Sequence, residues 1–118
     1  MKNDLSPFLP LSPAGLHILL ALASEDRHGY GIMREVARQS EAQYRMGPGT
    51  MYDNLQKLMD GGLVKEAPRP SANEDTRRRY YRLTAFGRRV LSADLVRLKG
   101  VLREAKVHLL SADPSKAS

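Results

Sequence analysis

The hydrophobic period of this chain changes twice, and those two changes constrain the fold more than any single motif does. Up to Asp60 apolar residues recur at helical spacing. Gly61 and Gly62 interrupt them, and from Leu63 to Leu83 the alternation has a period of about 2. After Thr84 helical spacing returns and continues to about Leu110. A chain patterned this way is mainly helical with one hairpin, a mainly α (α+β) class.

Local signals place the elements. Ser12 before Pro13 starts a first helix: a capping hydroxyl, then a residue whose missing N–H is not needed in a first turn. Ala14 to Ala23 is almost entirely apolar, so this helix is expected to be buried on most sides, and the polar stretch Ser24 to Arg27 ends it. His28-Gly29-Tyr30-Gly31 opens a second helix, with Ile32, Met33, Val36 and Ala37 inward and Arg34, Glu35, Arg38 and Gln39 outward. A turn spans Gln43 to Gly47, and Pro48, Gly49 and Thr50 precede a third helix. Its Met51, Leu55, Leu58 and Met59 point inward, and Asp53, Gln56, Lys57 and Asp60 outward. Gly61 and Gly62 stop it as a left-handed C-cap does. Leu63–Ala67 and Arg79–Leu83 are the expected strands, joined by eleven polar, proline-containing residues from Pro68 to Arg78, expected to form a mobile tip. Thr84 caps the last helix. There Leu91, Leu95, Leu98, Leu102, Ala105 and Leu109 are spaced 4, 3, 4, 3, 4, a heptad seam under three heptads long.

Composition narrows the function. The 118 residues, 42% hydrophobic, suffice for one domain with one modest core. Residues 1–60 hold 6 basic and 7 acidic side chains, net −1, and residues 61–118 hold 13 and 6, net +7. The excess therefore sits in the second half, which points to an anionic partner met on one surface. With no cysteine there is no disulfide, thiolate nucleophile, iron–sulfur cluster or Cys-ligated zinc. The longest purely apolar run, Ile18 to Ala23, is six residues against the roughly 20 that span a bilayer, and the N-terminus lacks the apolar core of a signal peptide. The expectation is a soluble cytoplasmic protein with no membrane partner. His17, His28 and His108 lie on different segments without ligand spacing, and neither glycine cluster continues into a phosphate loop. No nucleophile, base and orienting group occur as a set. Neither metal, cofactor nor catalysis is expected.

The order helix, helix, helix, hairpin, long helix is that of a winged helix-turn-helix followed by an extra helix. It suits double-stranded DNA directly. The third helix has a polar outer face and a Gly-Pro-Gly approach, so side chains near its start can reach base edges in a major groove, with a cationic hairpin beside it for backbone or minor groove. Tyr44, Thr50 and Tyr52 add hydroxyls suited to phosphate oxygens.

Three stretches in register carry a family resemblance. Gly49-Thr50-Met51-Tyr52-x-x-Leu55-x-x-Leu58-x-x-x-Gly62-Leu63-Val64 resembles the recognition-helix signature of the PadR family of bacterial transcriptional regulators. His28-Gly29-Tyr30-Gly31-Ile32 is similar to that family's His-Gly-Tyr-Glu-Ile, with Gly31 in place of the acid. Arg79-Tyr80-Tyr81-Arg82-Leu83-Thr84, followed by Gly87, resembles the end of its wing. Together they run from about Leu16 to Leu91. The resemblance implies a cytoplasmic homodimer on a pseudo-palindromic operator, usually a repressor, with the single C-terminal helix building the dimer as in the shorter subgroup. Some short members hold flat aromatic drugs between tryptophans in the dimer interface. This chain has no Trp, and no Phe or Tyr after Phe86.

Arg77, Arg78, Arg79, Arg82, Arg88 and Arg89 put six guanidinium groups into thirteen residues that hold no acid. Beside a recognition helix the first three are expected to meet DNA, while Arg88 and Arg89 can instead cover the last helix. Tyr52 is expected half buried against the first helix with its hydroxyl on a phosphate, and Tyr30 is a second such candidate. Gly49 and Thr50 belong to the approaching end, Asp53 and Asn54 are candidates for base or water-mediated contacts, and Gln56 and Lys57 for the backbone. Leu91, Leu95, Leu98, Leu102, Ala105 and Leu109 are the dimerisation candidates. The expected layout is an irregular arm (1–11), a winged helix-turn-helix (12–83), a dimerisation helix (84–111) and a disordered tail (112–118). Expected partners are operator DNA, a second copy, and a small-molecule effector whose sign would be a pocket lined by residues 5–16 and the last helix. The competing expectation is a winged-helix module that docks proteins without reading DNA sequence, favoured if the surface over the third helix and wing is neutral or is occluded in the dimer.

Overall fold

The computed structural model describes residues 4–70 and 77–110. Residues 71–76 of the expected mobile tip, the tail, and the first three residues of the arm lie outside the described residues. α1 (Pro13–Leu22) begins where Ser12 and Pro13 place it, with the Gly15 amide donating to the Ser12 hydroxyl at 3.0 Å. Its Ile18, Leu19, Ala21 and Leu22 form the middle of the core. Around them pack Ile32 and Val36 of α2 (Gly29–Gln39), Met51, Leu55 and Leu58 of α3 (Pro48–Asp60), and Val90 and Leu91 of α4 (Ala85–Ala105).

The stop after α3 needs glycine at one of its two positions. Gly61 keeps a right-handed conformation, whereas Gly62 has φ +80°. The Gly62 amide then donates to the Met59 carbonyl at 3.0 Å and the Leu63 amide to the Leu58 carbonyl at 2.9 Å. That double closure satisfies two carbonyls the helix end would leave bare.

The sheet has one strand more than the period of 2 reveals. β2 (Val64–Ala67) and β3 (Tyr80–Leu83) pair antiparallel, Val64 opposite Leu83 and Ala67 opposite Tyr80. On the other edge of β3 lies β1 (Arg27–His28), Arg27 opposite Tyr81 and His28 opposite Tyr80. Both hairpin strands start one residue later than expected: Leu63 is still held by the closure of α3, and the ladder ends at the pair of Ala67 with Tyr80. Thr84 then links that closure to the last helix: its hydroxyl accepts from the Gly87 amide at 2.8 Å and donates to the Gly62 carbonyl at 2.7 Å.

Three further expectations change. The last helix is regular only to Ala105, and Lys106–Leu110 widen into a π-helical turn. The arm is not wholly irregular: Ser6–Phe8 form a 3-10 turn, and Phe8 meets Phe86 edge-on with ring centroids 5.2 Å apart. Glu35 is not on the solvent face of α2. Its carboxylate, only 11% exposed, accepts from Arg38 at 2.7 and 3.0 Å and from Gln39 at 2.9 Å. Those donors replace the water it gives up. No helix among the described residues is long and apolar enough to cross a membrane.

Candidate nucleic-acid interface

With Met51, Leu55 and Leu58 buried, helical geometry turns Gly49, Asp53, Gln56 and Asp60 to the opposite face of α3, and all four are exposed. Pro48, Gly49 and Thr50 do not precede the helix but form its first turn, since Gly47 is the residue that caps it. That end is sterically open: a Cβ added at Gly49 would meet nothing within 4 Å. Along α3 the polar side chains pair with one another. Lys57 lies 3.4 Å from Asp53, and the Gln56 amide donates to Asp60 at 2.9 Å. Asn54 donates to the Thr50 carbonyl at 2.8 Å. It lies half-buried to one side, in a groove of about 180 Å³ that also involves Phe8, Leu11 and Gly15. This groove joins the arm to α3 rather than to the last helix, so it is not the effector pocket the sequence suggested.

The other flank of α3 gathers most of the remaining candidates. One shallow cleft of about 250 Å³ is lined by Tyr30, Tyr52, Arg77, Arg78 and Arg79, together with His28 and Tyr81. Tyr52, half exposed, packs over Gly29 at the start of α2. A Cβ at Gly29 would stand 2.8 Å from the Tyr52 Cζ, so the missing side chain is what admits the ring. Tyr30 is exposed, with the Arg34 guanidinium 5.6 Å from its ring centroid. Burial first, and the neighbouring Tyr52 phenol second, raise the pKa of the Tyr81 hydroxyl and keep it a neutral donor. Arg78 Nη1 lies 3.2 Å from His28 Nε2, while His28 Nδ1 accepts from the Gly31 amide at 3.1 Å and caps α2. Arg79 approaches Glu66 at 3.4 Å, both exposed. His28 and Tyr81 were not among the expected contact residues. The signal that could have found His28 is its place directly before a helix start, which sets its ring at that corner.

The arginine run divides. Arg82 grips Asp26 through Nη2 and Nε, at 2.8 and 3.1 Å. Arg88 donates at 3.0 Å to the Ala23 carbonyl, beyond the end of α1, and Arg89 stands 5.7 Å from the Phe86 ring centroid. These three hold the fold, and only Arg77 to Arg79 face the cleft.

The heptad seam divides as well. Leu95, Leu102 and Leu109 are exposed and Leu98 and Ala105 half-buried, but Leu91 belongs to the core of the head because this part of α4 lies against it. One turn on, the wholly buried Asp94 accepts from Arg97 at 2.7 Å.

Residues 18–93 match the Transcriptional regulator PadR-like family. The chain is 36% identical over 89 residues to Transcriptional regulator Rv3488 of Mycobacterium tuberculosis, covering 75% of this chain and 78% of that protein. It superposes with a TM-score of 0.69 on a PadR family transcription regulator from Clostridium difficile R20291, 23% identical, over 83% of this chain and 99% of that one. Bacillus subtilis PadR, solved in complex with operator DNA, gives a TM-score of 0.63 at 22% identity over 74% of this chain and 49% of that one. The shared architecture is a winged helix-turn-helix with a long C-terminal helix.

Proposed function

The chain belongs to the PadR-like family of transcriptional regulators, and from that premise we propose that it is a homodimeric repressor recognising a pseudo-palindromic operator in double-stranded DNA. The observation that carries this reading is the cleft in which Tyr52 of α3 meets Tyr30 and Arg77 to Arg79, together with the sterically open helix start at Gly49. In the proposed complex α3 enters a major groove from its first turn, and the two half-sites lie about one helical turn, roughly 34 Å, apart. The wing arginines and the tyrosine hydroxyls hold phosphates and set the register. Asp53 and Asn54 face base edges, while Thr50, Gln56 and Lys57 stay with the backbone. Residues 12–83 form the DNA-binding head, and α4 with the π-helical turn after it joins two copies through Leu95, Leu98, Leu102, Ala105 and Leu109. Repression in the cytoplasm follows from excluding polymerase, and an effector that splayed the heads would relieve it. Three exposed wing arginines beside an unoccluded α3 argue against a module that only docks proteins.

The test is a shift assay with a duplex from the region upstream of the protein's own gene and a random duplex of equal length. The expected result is a shift at low micromolar protein that weakens steeply between about 50 and about 200 mM salt. No salt-sensitive shift at that concentration would overturn the proposal.

A further inference from the structure

Four guanidinium groups and three carboxylates meet around one cleft, so one cation is left over. The cleft, of about 520 Å³, runs along α2 and β1 and is lined by Glu25, Asp26 and Glu35 with Arg27, Arg34 and Arg38. Each of its acids is already met. Asp26 is held by Arg82, which reaches it from β3. Glu35 lies 2.7 Å from Arg38 and 3.7 Å from Arg27. Glu25 lies 3.8 Å from Arg27, which also donates to the Ala21 carbonyl at 2.6 Å. Among the described residues no carboxylate comes within ion-pair reach of Arg34.

What Arg34 meets is a ring. It stands one turn after Tyr30 on α2, and helical side chains lean toward the N-terminal end. Its guanidinium comes to 5.6 Å from the Tyr30 ring centroid. An aromatic face orients a guanidinium without cancelling its charge, so its N–H groups stay available to an oxyanion. Tyr30 itself is exposed and lines the neighbouring cleft with Tyr52 and Arg77 to Arg79, and its ring therefore ties Arg34 to the edge of that cleft. We infer that Arg34 holds a phosphate of the DNA backbone beside those met by the wing arginines, with Tyr30 as its positioning residue. The inference rests on the DNA-binding reading above and extends that surface from α3 and the wing onto α2. Arg27 and Arg38 line the same cleft but are spent on its carboxylates, and Arg34 alone brings an uncompensated charge to it.

Arg34→Gln removes the charge and keeps a good helix former at an exposed position of α2, so its thermal midpoint should match wild type. It should weaken the upstream duplex and a random duplex of equal length by a similar factor, roughly tenfold. The salt slope should fall by about 0.9 for each bound copy. Arg103→Gln removes the same charge outside both clefts and should leave the slope at the wild-type value. The ring is tested by contrast. Tyr30→Leu should lose more affinity than Tyr30→Phe, which keeps the aromatic face, and that extra loss should disappear in the Arg34→Gln background. An unchanged slope in a folded Arg34→Gln, or an equal change in Arg103→Gln, would overturn the phosphate site and leave the DNA reading standing. Equal losses in Tyr30→Leu and Tyr30→Phe would overturn the part given to the ring. Failure of the wild type to bind either duplex would overturn both readings. Should Arg34→Gln not fold, the Nε–H resonance of Arg34 in the wild type decides. A shift on adding duplex supports the site. A resonance unmoved by bound duplex, or moved by inorganic phosphate alone, overturns it.

Discussion

Truncating Leu102 to alanine separates two roles that heptad spacing lends equally to Leu91 and Leu102. The two occupy one stripe of the sequence, yet Leu91 is 5% exposed and Leu102 54%. Burying a whole leucine contributes about 1.5–3 kcal/mol. Leu102 has roughly half of itself left to bury, so in the proposed dimer each copy would contribute about 1 kcal/mol. A two-fold interface uses the residue twice, which brings the loss in Leu102→Ala to about 2 kcal/mol per dimer. That is roughly a thirtyfold rise in the dimer dissociation constant. Leu91→Ala should act differently. Its side chain is already packed in the head, so the change opens a cavity and costs about 2–5 kcal/mol of folding stability. Sedimentation equilibrium over a wide concentration range reads the first effect. Urea unfolding at several protein concentrations reads the second and separates it from dissociation. The reasoning fails if Leu102→Ala sediments as the wild type does at every concentration. It fails equally if Leu91→Ala dissociates the dimer with an unchanged unfolding midpoint.

Three further outcomes are expected. Arg78→Ala should weaken binding to the upstream and random duplexes alike, whereas Asp53→Ala or Asn54→Ala should change their ratio; shift assays showing the same pattern for both classes would refute that division of labour. Gly49→Ala adds a methyl that touches no protein atom and should raise helix stability by up to about 1 kcal/mol. It should nevertheless weaken operator binding if the first turn of α3 abuts DNA, and undiminished affinity in a titration would exclude that approach. For Glu35, the hydrogen bonds from Arg38, acting against its burial, hold the carboxyl at about 2 rather than 4.5. A depressed carboxyl stabilises the fold fully above its unfolded value and loses that contribution as pH falls through its folded one. Glu35→Gln should therefore be less stable than wild type by about 1–2 kcal/mol near neutrality, after allowing for the exposed Arg38 partner. In thermal unfolding the difference should close between about pH 5 and about pH 2, and a gap that persists unchanged would contradict the assignment.

The elements were legible wherever a boundary is made by a local hydrogen bond. Ser12, Gly62 and Thr84 each close or open a helix through a bond to a residue nearby in sequence, so residue type reports the boundary directly. β1 was beyond that reading, because two residues carry no period and their partner strand lies in the second half of the chain. Glu35 was assigned to the solvent side because periodicity sends every charge outward, whereas this carboxylate found its donors one turn away. The interface shows the same limit. Six arginines in a run have one composition but two fates, and the acceptors that claim Arg82 and Arg88 come from residues 56 and 65 positions earlier in the chain. Heptad spacing, likewise, cannot tell which part of a long helix lies against its own head, and so it counted Leu91 with the free stripe.

The division within the arginine run also shows where selectivity must arise. α3 carries one lysine and two aspartates, net −1, so it adds no attraction of its own for a polyanion. Its lysine already faces Asp53, and Asp60 already accepts from Gln56. In the proposed complex, attraction would reside at the wing base and in the cleft beside it, where phosphates would be met and any duplex held in the same register. Once α3 enters a groove, Asp53 loses water and needs a donor there, and in the major groove cytosine and adenine supply one through their amino groups. Where guanine O6 or thymine O4 lies opposite, the carboxylate meets an acceptor and its desolvation goes uncompensated. On this reading sequence choice comes less from extra attraction to the right operator than from a penalty on the wrong ones. It follows that Asp53→Ala should tighten binding to random DNA while doing little for the operator, the reverse of what removing an attractive contact would do.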